Sequence, residues 1–106
     1  MSFSVACNLD DLTEAEPHQA VVDGVTVVLV KVADDVYALN DICSHGQVSL
    51  SEGEVEDCTL ECWLHGSRFD LRTGAALSLP ATEPVPAYPV KLEDGKVLVS
   101  VQESRP

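Results

Sequence analysis

Apolar residues in this chain fall into short, valine-rich runs broken by acidic residues, glycine and proline, a pattern that predicts strands and no long helix. Ala20-Val21-Val22 and Val25-Thr26-Val27-Val28-Leu29-Val30-Lys31-Val32 flank Asp23-Gly24. Asp-Gly there predicts a hairpin, because a two-residue turn needs positive φ and glycine takes it without steric cost. Asp34-Asp35 offers a second turn into Val36-Tyr37-Ala38-Leu39-Asn40. Glu54-Val55-Glu56 and Thr59-Leu60-Glu61 read as a short hairpin around Asp57-Cys58. Phe69-Asp70-Leu71 and Ala75-Ala76-Leu77 read as another across Arg72-Thr73-Gly74, and Val90-Lys91-Leu92 with Lys96 to Val101 as a last one across Glu93-Asp94-Gly95. Upstream, Ser2 to Ala6 is a candidate edge strand, and Asn8 to Leu12 a single turn that Asn8 can cap. Many short strands with turn signals at close spacing predict an all-β antiparallel sandwich or barrel.

Length adds that this is one domain, 1–106, with a core adequate but not generous. It is expected to fray after about Val101. The opening Met-Ser-Phe-Ser-Val-Ala-Cys-Asn-Leu-Asp lacks a basic segment followed by a long apolar one, and no later run approaches membrane-spanning length, so a cytoplasmic protein is expected. In a reducing compartment Cys7 and Cys58 read as small buried thiols without chemistry. Phe3 and Tyr37 read as core, and His18, in a polar stretch after Pro17, as a surface residue.

The formal charge of −12, from 18 acids against 6 bases, argues against nucleic acid and against acidic lipid surfaces. Its distribution says more. Between Lys31 and Arg68 there is no Lys or Arg, while Asp34, Asp35, Asp41, Glu52, Glu54, Glu56, Asp57 and Glu61 all fall there. A single-sign field raises the encounter rate with a partner. It equally keeps a small protein soluble, and both readings stand.

That segment also carries the chemistry. Cys43-Ser44-His45 and Cys62-Trp63-Leu64-His65 each pair a thiol with an imidazole, in a chain with three histidines. Two Cys and two His on two loops can hold either a tetrahedral zinc or a two-iron cluster of mixed ligation. The flanking residues bear on the choice. Gly46 follows one histidine and Gly66 the other, and the second cluster continues as His65-Gly66-Ser67-Arg68-Phe69-Asp70, with Thr73-Gly74 beyond. Cys-x-His-Gly, then Cys-x-x-His-Gly-x-x-Phe-Asp, then a closing glycine, resembles the Rieske [2Fe–2S] family, and the length, the valine-rich hairpins and the Pro84-Val85-Pro86-Ala87-Tyr88-Pro89-Val90 approach to the last hairpin resemble a stand-alone Rieske ferredoxin.

The resemblance implies a Rieske-type antiparallel β-sandwich or barrel with a small cluster-binding subdomain of two loops, about residues 41–80. It implies one [2Fe–2S] cluster, with Cys43 and Cys62 on one iron and His45 and His65 on the other. Gly46, Gln47, Gly66 and Ser67 are candidates for hydrogen bonds to the cluster sulfurs. Trp63 is either a partner-docking anchor or a lid over the cluster. In the family the proline-rich segment, here Pro80, Pro84, Pro86 and Pro89, passes beneath the cluster. Respiratory and photosynthetic Rieske proteins carry an added disulfide where this chain has Val48 and Leu64, and a tyrosine where it has Phe69. A potential toward the bottom of the Rieske range of roughly −150 to +300 mV is therefore expected.

Such ferredoxins are not enzymes themselves. They take single electrons from an NAD(P)H-dependent flavoprotein reductase and pass them to the terminal Rieske non-haem iron oxygenase of an aromatic-ring dioxygenase system, and a monomer is expected. The alternatives are a Rieske-like small subunit of a nitrite reductase or other oxidoreductase, and a structural zinc domain. Cys-x-His is short for the usual zinc spacing.

Overall fold

Four consecutive residues, Val27, Val28, Leu29 and Val30, have no exposed surface. An alternating strand can achieve that only if apolar layers cover both of its faces. The computed structural model, which describes residues 3–33, 35–42, 49–63, 66–77 and 84–101, shows the two layers. The strands are β1 Ser4–Asn8, β2 His18–Val22, β3 Val25–Val32, β4 Asp35–Asn40, β5 Glu54–Glu56, β6 Thr59–Glu61, β7 Arg68–Asp70, β8 Ala87–Tyr88, β9 Val90–Glu93 and β10 Lys96–Val99. They form three sheets ordered β1-β10-β9, β2-β3-β4-β8 and β5-β6-β7, paired antiparallel throughout. Among the described residues no helix is long and apolar enough to cross a membrane.

The sheet carrying β3 is the middle layer. Val27 and Leu29 face one way and join Val22, Val36, Ala38, Val97 and Val99 in a core shared with the β1-β10-β9 sheet. Val28 and Val30 face the other way and join Leu39, Leu50, Leu60, Cys62, Phe69, Leu71 and Val85 in a second core. The second core attaches the small β5-β6-β7 lobe to the body. Each of the buried Val, Leu and Phe side chains stabilises the fold by roughly 1.5–3 kcal/mol through burial, so the lobe is held by hydrophobic contact beneath it.

The turns follow the sequence closely, with instructive exceptions. Asp23 and Gly24 both take positive φ, 48° and 81°, as the two-residue hairpin requires. Asp57 and Cys58 do the same without any glycine, at 49° and 61°. Between β3 and β4 the left-handed residue is Ala33, φ 56°. Asp35 already begins β4, because the Glu14 carboxylate accepts the Ala33 N–H at 2.9 and 3.1 Å and sets the turn one residue earlier. Asp34 lies outside the described residues. The first strand is shifted to Ser4–Asn8, and the single turn after it, Leu9–Asp11, is closed by the Asp11 carboxylate accepting the Asn8 N–H at 3.1 Å. β2 begins at His18, which is half-buried, so it is not the surface residue its polar neighbours suggested. Phe3 is half-buried outside both cores, whereas Tyr37 packs on the second.

Past β7 the expected hairpin reduces to a single bridge between Phe69 and Ala76. The chain must instead make room for the proline-rich segment. Gly74 has φ +78°, and a Cβ there would stand 2.0 Å from the Val85 carbonyl oxygen. Without a side chain it donates its N–H to Asp70 and accepts the N–H of Val85 at 2.9 Å. Val85 is buried in the second core, the Pro86 carbonyl accepts the Asn40 N–H, and the Pro89 carbonyl accepts the Ser100 N–H. This segment stitches the lobe to both other sheets. Pro80 lies outside the described residues.

Leu60→Ala, at a fully buried position of the second core, is expected to cost about 2–5 kcal/mol. Val21→Ala, at a position 65% exposed, is expected to change stability by less than about 0.5 kcal/mol. The midpoint of denaturant unfolding measures both.

Candidate metal centre

β6 and β7 are paired residue for residue, Thr59 with Asp70, Leu60 with Phe69 and Glu61 with Arg68. The ladder continues one step further, the Cys62 N–H donating to the Ser67 carbonyl at 2.7 Å. Gly66 closes the loop: its N–H donates to the Cys62 carbonyl at 2.9 Å, and its φ of +76° is one that L side chains disfavour. A Cβ at Gly66 would meet no heavy atom within 4 Å, so glycine serves the backbone conformation here and not a lack of space. Cys62 and Ser67 are fully buried at the mouth of this loop, while Trp63 is 50% exposed. Leu64 and His65 lie outside the described residues.

The other candidate loop rises from β4, and its base is tied in three ways. Ile42 and Ser49 form an antiparallel bridge. The Leu50 N–H donates to the Asp41 carbonyl at 2.6 Å, and the Asp41 N–H donates to the Thr26 carbonyl at 3.1 Å. The Asn40 side chain accepts the Ile42 N–H at 3.0 Å and donates to the Tyr88 hydroxyl at 3.0 Å. Cys43, His45, Gly46, Gln47 and Val48 lie outside the described residues.

A shared floor brings the two loop bases together. Leu50, which follows the first loop, lies in the same buried cluster as Leu60, Cys62 and Phe69 of the second. The Cys62 thiol thus sits among apolar side chains, where an uncompensated thiolate is costly. Bound metal compensates such a charge, and a buried thiol at the mouth of a closed loop fits a cluster ligand. Among the described residues no group of three His, Cys, Asp or Glu could hold a metal ion, since only Cys62 of the four candidates is described.

The remaining cysteines differ from Cys62. Cys7 and Cys58 are half-buried, not fully so, and pack against different cores, Cys7 on the first and Cys58 on the second. Burial pushes the Cys7 thiol up, and the Asp11 carboxylate adds to this. The pKa of Tyr37 is also raised, first by burial and further by Cys58 and Asp35, against the lowering effect of a hydrogen bond from Arg72. Arg72 is therefore engaged with the body at the rim of a cavity of about 350 Å³ that Tyr37 and Tyr88 also line.

The lobe's pairing register also sorts its charges. Val55, Leu60 and Phe69 share the inner face, and Glu54, Glu56, Thr59, Glu61, Arg68 and Asp70 the outer one. Arg68 lies 3.1 Å from Glu61 and 3.5 Å from Glu56, leaving Glu52, Glu54 and Asp57 as further exposed acids. Asp41 is no part of that field. It is fully buried, and its carboxylate accepts hydrogen bonds from Gln19 Nε2 at 2.6 Å, Ser51 N at 2.7 Å and Ser51 Oγ at 3.1 Å. In sequence Asp41 is one of eight acids between Lys31 and Arg68, and neither spacing nor periodicity links it to Gln19, 22 residues away.

Comparison with known proteins adds a family to this geometry. The chain is 44% identical to the 3-phenylpropionate/cinnamic acid dioxygenase ferredoxin subunit of Escherichia coli (strain K12) over 107 residues, covering 100% of both chains. Its fold is similar to that of the ferredoxin of carbazole 1,9a-dioxygenase from Nocardioides aromaticivorans IC177, with a TM-score of 0.90, 37% identity, and coverage of 94% of this chain and 98% of that one. It is similar also to a chain in the complex of reduced oxygenase and oxidized ferredoxin in carbazole 1,9a-dioxygenase, with a TM-score of 0.85, 32% identity and 92% of each chain covered. The description of the Rieske [2Fe-2S] domain matches residues 2–89, and with that match across most of its length the chain belongs to the Rieske [2Fe-2S] domain family.

Proposed function

We propose that this chain is the ferredoxin component of an aromatic-ring dioxygenase system, an electron carrier and not itself an enzyme. The observation that carries the reading is the 44% identity, over the full length of both chains, to a dioxygenase ferredoxin subunit. One Rieske-type [2Fe–2S] cluster belongs with it. Cys43 and Cys62 would hold one iron and His45 and His65 the other. When bound, the cluster supplies a site for one reversible electron, at a potential raised above that of all-cysteine ferredoxins by its two neutral imidazoles.

The chain's own residues do the rest. The apolar floor of Leu50, Leu60 and Phe69 keeps water from Cys62. Gly66 and Ser67, and with them Gly46 and Gln47, are assigned to hydrogen bonds that tune the potential. Phe69 brings no hydroxyl and is buried in the second core, and Val48 and Leu64 exclude a disulfide between the loops. These residues support a potential low in the Rieske range. Trp63, half-exposed beside Cys62, is assigned to partner docking. The β5-β6 hairpin that delivers Cys62 also carries the exposed acids, so a basic partner is steered to that end of the molecule.

A flavoprotein reductase and a terminal Rieske non-haem iron oxygenase are the proposed partners, the latter supported by the ferredoxin–oxygenase complex to which this fold is similar. A monomeric, cytoplasmic, single-domain carrier is proposed, the four proposed ligands all lying in this one chain.

The purified protein is expected to be red-brown, to contain iron and acid-labile sulfide in equal amounts, and to couple NAD(P)H oxidation by a flavoprotein reductase to turnover of a terminal oxygenase. A colourless protein holding one zinc would overturn the proposal. Cys62→Ser, His45→Ala and His65→Ala are each expected to abolish the visible spectrum, whereas Cys58→Ser should leave it nearly unchanged, as absorbance and electron paramagnetic resonance will register. Raising ionic strength from about 0.01 to 0.15 M shortens the screening length from about 30 to 8 Å. The rate of encounter with a basic partner is expected to fall accordingly in stopped-flow measurements.

A further inference from the structure

β8 is two residues long and pairs only with Ala38 and Leu39 of β4. Pro89 follows it, and the chain passes into β9, which belongs to another sheet. The remaining edge of β4 has no strand beside it, and a cavity of about 350 Å³ opens between β4, the turn after β7 and the β8–β9 connection. Its floor is apolar, with Val36, Ala38 and Leu71 buried there. Its rim is polar, with Tyr37 and Tyr88 half-buried and Arg72 exposed. The register of the lobe sets Arg68 beside the Cys62 loop and Asp70 at the opposite end, with Arg72 beyond it. The cavity is thus at the end of the lobe away from Cys62.

Arg72 differs from other cations of this acidic chain. Lys31, Arg68 and Lys91 each lie beside a glutamate, at 3.5, 3.1 and 3.0 Å. Among the described residues no carboxylate stands at such a distance from the Arg72 guanidinium. Asp70 accepts the Arg72 backbone N–H at 2.7 Å instead. The guanidinium meets the Tyr37 hydroxyl, and one hydroxyl cannot occupy its five N–H donors. A planar fork with donors to spare at the mouth of a cavity matches a carboxylate, which it takes through two parallel hydrogen bonds. One guanidinium balances one negative charge, whereas a dianion would bring its excess into a protein of net charge −12. The volume is at the lower end of small-ligand sites, about 300–1,000 Å³, and tyrosine rings favour a flat ring in offset or edge-to-face contact.

We propose that this cavity is a binding site for a small aromatic monocarboxylate, its carboxylate on the Arg72 fork beside the Tyr37 hydroxyl and its ring over the floor of Val36, Ala38 and Leu71. None of the proposed cluster ligands takes part, so the site is independent of the electron-carrier reading.

Isothermal titration of the purified full chain with benzoate, benzamide and acetate tests the site. Benzoate should bind saturably, one molecule per chain. Benzamide keeps the ring and loses the charge, acetate keeps the charge and loses the ring, and each should bind at least about tenfold more weakly. Arg72→Gln should weaken benzoate binding by about tenfold or more, the usual effect of losing hydrogen bonds to a charged group. Val90→Phe, which adds bulk to the cavity lining and leaves Arg72 in place, should weaken it as well. Lys96→Gln, at an exposed cation of β10 outside the cavity, should leave it unchanged. Absence of saturable benzoate binding overturns the proposal, as does unchanged binding in Arg72→Gln or Val90→Phe. Equal affinity for acetate, or an equal loss in Lys96→Gln and Arg72→Gln, also overturns it, because either would reveal a general attraction of anions to surface cations. Should Arg72→Gln fail to fold, Val90→Phe and the acetate and benzamide titrations decide by the same criteria.

Discussion

The burial of β3 on both faces is the constraint from which the rest of the architecture follows. A strand covered on one side would leave two of Val27, Val28, Leu29 and Val30 in water. With all four buried, a second layer must exist, and the second layer is the lobe that carries Cys62. The lobe has three strands of three residues each, too little to be stable alone. Its inner face, Val55, Leu60 and Phe69, finds its complement in Val28, Val30 and Leu39 of the body. The lobe therefore cannot drift from the body without exposing an entire core.

This explains why much of the fold could be read from sequence. An uninterrupted apolar run marks a strand buried on both sides, and Asp23-Gly24 and Asp94-Gly95 mark hairpins whose strands have complementary patterns. What could not be read was set by contacts distant along the chain. The β3–β4 turn moved because Glu14, 19 residues upstream, captures the Ala33 N–H. The hairpin after Phe69 shortened because Val85 must cross Gly74. His18 gained a place in β2 because Leu29 pairs with it. Local pattern gave none of these residues a reason to do what they do.

The candidate site divides the same way. Cys43, His45, Cys62 and His65 stand out because thiols and imidazoles at such spacing have few other uses, and the glycines beside them mark backbone turns. Asp41 did not stand out, since in sequence a carboxylate among eight acids reads as surface charge. Burial separates it from the others: Glu54, Glu56 and Asp57 are exposed on the lobe, whereas Asp41 is satisfied by three donors in the interior. The same residue type thus has two roles within 20 residues of chain, and only solvent access tells them apart.

An electron carrier gains from this division of charge. Acids on the outside act at long range, through water, and their influence is screened by salt, so they affect how often a partner arrives. The buried Asp41 is removed from that field and instead ties Gln19 of β2 to Ser51 through its carboxylate. Both loop bases are fixed by backbone hydrogen bonds and rest on one apolar floor. The small lobe is thereby held by the body beneath it, since three strands of three residues have no sufficient core of their own.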